Sequence, residues 1–290
     1  MSASAMTPVS LADRVPPHGY FIVSAVFHYL GPAFAVLLFA HVAPLGVAWL
    51  RIASAAVIFA LWRRPWRYWR GLAGRERRIV IALGFVLAAM NCCFYEAIAR
   101  LPLGTVGAIE FLGPIGLAAL GLRTPRNLAA LIAAAAGVYL LTDVRIAGEP
   151  LGFLFAFANC ALFVAYIMLG HRIAADGGSA GIDRLGAAML IAAIFSFPIG
   201  ILDARPALTD PVLLGAAVGV GVSSSVIPYI CDQLAMARLP RATFALMLAL
   251  LPATAALIGL LVLRQVPATI EVAGIALVIA GVALHRSDRA

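Results

Sequence analysis

The sequence predicts an all-α polytopic membrane protein of ten transmembrane helices, built as two five-helix inverted repeats. Three observations predict it. Of the 290 residues, 63% are hydrophobic and 12% charged, with a mean hydropathy of +1.02; soluble domains have about half and a quarter. Apolar runs long enough to cross about 30 Å of hydrocarbon recur along the whole chain. A collinear set of residues also repeats at one offset. This composition excludes a cytosolic enzyme, a disordered chain and a collagen-like one. The continuity of the runs excludes a single-span receptor and an outer-membrane barrel, whose strands alternate over short stretches.

Breaks at Pro, Gly and Arg divide the chain into runs. The first, 20–39, follows a polar stretch with only Arg14 ahead of it, and reads as a span rather than a secretory signal. Pro44 opens the second, 45–62, which ends in Arg63-Arg64-Pro65-Trp66-Arg67. The third, 79–98, follows Arg75, Arg77 and Arg78 and ends at Ala99-Arg100-Leu101-Pro102. The fourth, 104–121, contains Pro114; the fifth, 127–142, is short and rich in Ala. The sixth, 151–171, closes on His171 and Arg172, and the seventh, 185–202, begins after Arg184. The eighth, 212–235, carries Ser223, Ser224, Ser225 and Pro228. The ninth, 242–263, contains Pro252, and the tenth, 268–285, has Glu271 in its first turn, read as interfacial.

The net charge of +8 does not point to nucleic acid. All 21 basic residues are Arg, and most of them sit in short links. Arg100, Arg145, Arg205 and Arg264 fall on one side of the membrane, Arg51 lies within a span, and the rest fall on the other side. The positive-inside rule then places both termini in the cytoplasm. Cys92, Cys93, Cys160 and Cys231 lie in apolar runs without metal-ligand spacing, so no disulfide, metal or cofactor is expected.

At an offset of 138, Ala99-Arg100-Leu101-Pro102 meets Ala237-Arg238-Leu239-Pro240, Thr105 meets Thr243, Pro114 meets Pro252, Ala118 meets Ala256, Gly121 meets Gly259 and Cys93 meets Cys231. Ala136-Gly137-Val138 meets Ala280-Gly281-Val282 at 144, after a six-residue insertion. The repeat is five spans, an odd number, so the second unit enters the membrane from the opposite face. The expected units are 1–146 and 147–290. Two such halves can exchange conformations and open a central site to either side. A duplicated channel or membrane enzyme is the other reading of the symmetry. Gly215-x-x-x-Gly219 and Ala133 to Gly137 are read as helix-packing surfaces.

Ionisable groups inside a membrane are costly and face a cavity or a partner. Arg51 and Glu110 each lie about 6 residues from the outer end of their spans, or about 9 Å deep at 1.5 Å per residue. They are either a structural ion pair or the groups that meet a substrate carboxylate and amine. Snorkelling is a further option for Arg51. Asn91 and Tyr95 share one face of span 3, as do Asn159 and Tyr166 on span 6. Ser224 and Tyr229 crowd Pro228, which frees a backbone carbonyl. With His28 they make a polar centre flanked by Phe94, Phe163 and Trp49, and each is also a candidate helix–helix hydrogen bond. Glu96 and Asp232 are read as gates or as solvated helix ends, and Pro114 and Pro252 as hinges or fixed kinks. No Walker or HExxH motif occurs, which argues against ATP drive and against a zinc-dependent hydrolytic membrane enzyme.

Several stretches carry a family resemblance: Met90-Asn91-Cys92-Cys93-Phe94-Tyr95, Arg100-Leu101-Pro102-Leu103-Gly104, and Ala108-Ile109-Glu110-Phe111-Leu112-Gly113-Pro114. Pro44 with Arg51, Arg64-Pro65-Trp66-Arg67, and Ser224-Ser225 with Pro228-Tyr229 add to them. Together they resemble the EamA-type branch of the drug/metabolite transporter superfamily, above all its bacterial amino-acid exporters. The resemblance implies a ten-helix fold and export of amino acids of broad range, threonine, methionine and the aromatic ones among them. Export of other metabolites or drugs is the alternative. The chain departs from the pattern at Leu251, where an acidic residue is usual, and at Leu263 and Arg264, where a Gly-Glu pair is usual.

Overall fold

The computed structural model describes residues 15–121, 124–143, 149–239, 244, 248 and 251–284, and among these all regular structure is helical. The longer helices are α1 (Pro17–Leu38), α2 (Pro44–Arg63), α3 (Gly74–Ile98), α4 (Leu103–Gly121), α5 (Pro125–Asp143), α6 (Pro150–Ala174), α7 (Gly178–Gly200), α8 (Pro211–Met236), α9 (Leu251–Leu263) and α10 (Thr269–Leu284). Two short helices, Pro65–Trp69 and Arg205–Thr209, lie in links. Among the described residues six helices, α1, α2, α3, α6, α7 and α8, are long and apolar enough to cross a membrane. The repeat partners Pro240 and Thr243 fall outside the described residues, as does the side chain of Pro252.

Helix starts follow local chemistry. Five of these helices open on proline, whose fixed φ suits the first turn and whose missing N–H is one the helix leaves unpaired there. Asp210 caps α8 by accepting from the N–H groups of Val212 and Leu213. Helices α3 and α7 begin at 74 and 178, earlier than the apolar runs suggest. The added turns carry charged residues that pair across helices: Arg184 binds Glu76 and Asp176, and Arg63 binds Asp183 at 2.6 Å. Helix therefore continues where the apolar pattern stops.

Of the five helix pairs that the expected repeat would make equivalent, three lie against each other. α2 packs on α7, α4 on α9 and α5 on α10. Each pair is antiparallel. The end of α2 bonds the start of α7 through Arg63 and Asp183, and the start of α4 meets the chain just past α9 through Leu103 N–H and Gln265. In the third pair Gly137 lies on Gly274 and Gly281 on Ala130. Other contacts exchange in the same way: α3 on α6 mirrors α8 on α1, and α4 on α6 mirrors α9 on α1.

The α5–α10 seam depends on its glycines. A Cβ at 137 would sit 2.5 Å from the Gly274 carbonyl oxygen, and one at 281 would sit 2.6 Å from that of Ala130. We expect Gly137→Ala or Gly281→Ala to cost about 1–3 kcal/mol through overpacking, read as a lower melting temperature in detergent. Gly215→Ala is the control. Among the described residues neither Gly215 nor Gly219 has a neighbour within 4 Å of an added Cβ, so no described helix of the chain packs on that pair.

Candidate functional site

Helix α8 is not regular at its centre. It passes through a π turn, Val222–Val226, just before Pro228. Pro228 has no N–H to give the carbonyl four residues back, which is that of Ser224. Arg51 takes this free acceptor: its Nη2 donates to Ser224 O and its Nε to Ser225 Oγ at 2.7 Å. Tyr229 OH stands 3.5 Å from Nη2. The guanidinium also lies over two rings, 5.5 Å from the Tyr95 centroid and 5.9 Å from that of Tyr229. Arg51 is only 4% exposed. Such a cation is stabilised by hydrogen bonds and aromatic faces rather than by water.

Glu110, on α4, is buried at 2% exposure. Tyr29 OH donates to its Oε2 and Asn159 Nδ2 to its Oε1, both at 3.0 Å. His28 Nε2 lies 3.9 Å from Oε2.

Arg51 and Glu110 line one central cavity with His28, Asn91, Asn159 and Tyr229, closed by the apolar Met90 and Phe94. They do not form an ion pair within 4 Å, and each has its own neutral partners. The reason is azimuthal. Equal depth sets only the level, and α2 packs on α7, α3 and α8 while α4 packs on α6, α9 and α5. The remaining space is about 10 Å³, room for about one water. Asn159 Oδ1, on the cavity, is fully buried without a partner, as is the OH of Tyr95, which does not line the cavity but whose ring lies beside Arg51; such groups call for a ligand or water. Asn91 donates to Leu87 O in its own helix at 2.7 Å.

Other sequence candidates lie elsewhere. Ser224 Oγ turns back to Val220 O, so the Ser224 backbone, not its hydroxyl, serves the site. Tyr166 OH leaves the Glu110 group and donates to Asp232 Oδ2 at 3.1 Å. Asp232 is 5% exposed and also accepts from Ser24 Oγ. It is therefore not a solvated helix end, because α1 covers it. Glu96 pairs with Arg100 one turn on, and Pro114 stands within the unbroken α4. Sequence reading missed Tyr29 and Ser24. A signal was present for Ser24, a hydroxyl one turn before His28 on the same side of α1; Tyr29, next to His28 in sequence, faces about 100° away from it.

Residues 150–286 match the EamA-like transporter family. The chain is 32% identical over 257 residues to "Threonine/homoserine exporter RhtA" of Salmonella typhimurium (strain LT2), covering 86% of this chain and 84% of that protein. It is 31% identical over the same coverage to "Threonine/homoserine exporter RhtA" of Escherichia coli (strain K12). A solved crystal structure at 19% identity aligns with a TM-score of 0.64 over 92% of this chain and 96% of its own, a likeness of fold.

Proposed function

The chain belongs to the EamA-like transporter family of the drug/metabolite transporter superfamily, and on that premise we propose that it exports amino acids, threonine and homoserine foremost, across the bacterial inner membrane by alternating access. The observation that carries the reading is the placement of Arg51 and Glu110. A zwitterion leaving water needs both of its charges met. Here a cation and an anion face one cavity without neutralising each other. Arg51 meets the substrate carboxylate and Glu110 its amine, while Asn159 Oδ1 and Tyr95 OH offer hydrogen bonds that are otherwise unmade. Met90 and Phe94 supply an apolar wall that discriminates weakly among side chains, which extends the range to methionine and aromatic amino acids.

The cavity holds about one water, so an amino acid enters only when helices part. Two inverted five-helix units, 1–146 and 147–290, provide that motion by rocking. The antiparallel contacts between equivalent helices and their exchange pattern support this architecture. Both termini are cytoplasmic in this reading. The Arg63–Asp183 and Arg184–Glu76 pairs then tie the inner end. A cavity of about 370 Å³ between the 99–102 link and residues 265–267 lies toward the outer end.

Purified protein in liposomes loaded with unlabelled threonine tests the proposal. Saturable counterflow of labelled threonine and homoserine, with methionine and phenylalanine competing more weakly, is expected. Folded protein that moves none of these amino acids, or that moves an unrelated metabolite or drug instead, overturns it.

A further inference from the structure

One buried carboxylate is left unused by the substrate site. Asp232, on α8, faces a second small cavity that it shares with Ser24 and His28 of α1 and Tyr166 of α6. Among the described residues it has no cationic partner within 4 Å; its contacts are the two hydroxyls. A permanent anion in such a place is costly, and the hydrogen bonds show how the charge is relieved. Ser24 Oγ has one proton and two acceptors within reach, Asp232 Oδ1 and the Pro228 carbonyl at 3.3 Å. When Asp232 is ionised, the Ser24 hydroxyl donates to Oδ1. When Oδ1 carries a proton, that proton is donated to Ser24 Oγ, and the Ser24 hydroxyl swings to the Pro228 carbonyl. Tyr166 OH donates to Oδ2 in both states. Every polar atom of the cluster is thus satisfied with or without the proton, and only one hydroxyl has to turn. A carboxylate fixed in one charge state needs no such second acceptor.

The cluster is also tied to the substrate site. Asp232 stands one turn beyond Pro228 and Tyr229, on the helix whose Ser224 and Ser225 hold Arg51. The Tyr166 ring lies 5.5 Å from that of Tyr229. His28 lines both this cavity and the one holding Glu110. The titratable and charged groups around Asp232 are therefore His28 on α1, Tyr166 and more distantly His171 on α6, Tyr229 and Cys231 on its own helix, Arg51 on α2 behind Tyr229, and Glu110 on α4 behind His28. The α9 side offers Phe244, Leu248 and Leu251, which are apolar.

From this we infer that Asp232 is a proton-binding site of the transport cycle, loaded from one side of the membrane and emptied to the other while the amino acid moves in the opposite direction. The step is a proton transfer alone: a proton from water joins Asp232 Oδ1 and later returns to water on the far side. The inference rests on the export reading. Charge on Asp232 sets whether α1, α6 and α8 are held by a charged or a neutral hydrogen-bond cluster, and α8 carries the Arg51 cradle, so the proton and the substrate act on one helix.

The test uses proteoliposomes, labelled threonine and two conditions: counterflow at equal pH, and uptake driven by an acidic interior. In one-for-one exchange a gradient of one pH unit supports at most about tenfold accumulation. Wild-type protein is expected to approach that value and to lose it with a protonophore. Asp232→Asn is expected to keep counterflow within about twofold while threonine only equilibrates in the gradient. Ser24→Ala, which keeps the carboxyl, is expected to retain accumulation with its pH midpoint shifted by about one unit. Accumulation by Asp232→Asn equal to wild type, a wild type indifferent to the gradient, or an unshifted Ser24→Ala profile overturns the inference. Should Asp232→Asn not fold, the Ser24→Ala profile and the protonophore response decide. Absence of wild-type counterflow at equal pH instead defeats the export reading itself.

Discussion

Arg51→Ala abolishes measurable threonine counterflow, a fall of about 100-fold or more, while the protein still inserts and purifies. Truncating one partner of a buried, charge-assisted pair costs about 2–5 kcal/mol, and each 1.4 kcal/mol is about tenfold. Loss of the cradle alone would give a different pattern, since Ser224 O and Ser225 Oγ lose a partner in either case. Two readouts separate the roles. Threoninol, which lacks the carboxylate, competes poorly against wild-type protein; in Arg51→Ala it competes as well as threonine does, because the group that distinguishes them is gone. Arg51→Lys keeps the charge but not the fork that reaches two acceptors at once, and retains roughly a tenth of the flux. A threonine preference over threoninol that survives Arg51→Ala removes Arg51 from the carboxylate role.

Glu110→Gln lowers the apparent affinity for threonine by about 10- to 100-fold, the effect of losing a charged partner for the amine in a desolvated site, at about 1.5–3 kcal/mol. The substitution is close in shape, and its amide oxygen still accepts from Tyr29 or Asn159, so the melting temperature moves little. The decisive measurement is again a cycle between protein and ligand. Replacing the threonine amine by hydroxyl weakens competition strongly in wild type and weakly in Glu110→Gln. Equal penalties in the two proteins would make Glu110 a structural acceptor for Tyr29 and Asn159 rather than a substrate group.

What sequence reading reaches, and where it stops, follows from geometry. The helical class came from composition and from runs of apolar residues, which the bilayer imposes on every span. The free carbonyl near Pro228 was legible because the missing N–H is a covalent fact, and the bond from Arg51 to Ser224 O is its result. Arg51, Glu110 and Asn159 stood out because buried charge and amide in an apolar run have few innocent explanations. Their pairing was not legible. Depth along a span can be counted in residues, but the direction a side chain faces depends on which helices are neighbours, and α2 and α4 do not pack on each other. Asp232 illustrates the same limit: Arg238 and Pro240 soon after it suggest a helix end near water, yet Ser24, 208 residues earlier, reaches it from α1. Tyr29 differs from the favoured His28 by one position, which on a helix is about 100° of rotation.

The glycine seam between α5 and α10 bears on how the protein is made. Its two contact glycines are 144 positions apart, and at roughly 5–20 residues per second of synthesis the first waits roughly 7–29 s for the second to emerge from the ribosome. During that interval α5 lacks the partner that its glycine contact is shaped for. This seam therefore closes only with the last helix, after the contacts of α1, α2, α3 and α4 with α6, α7 and α8 have had time to form.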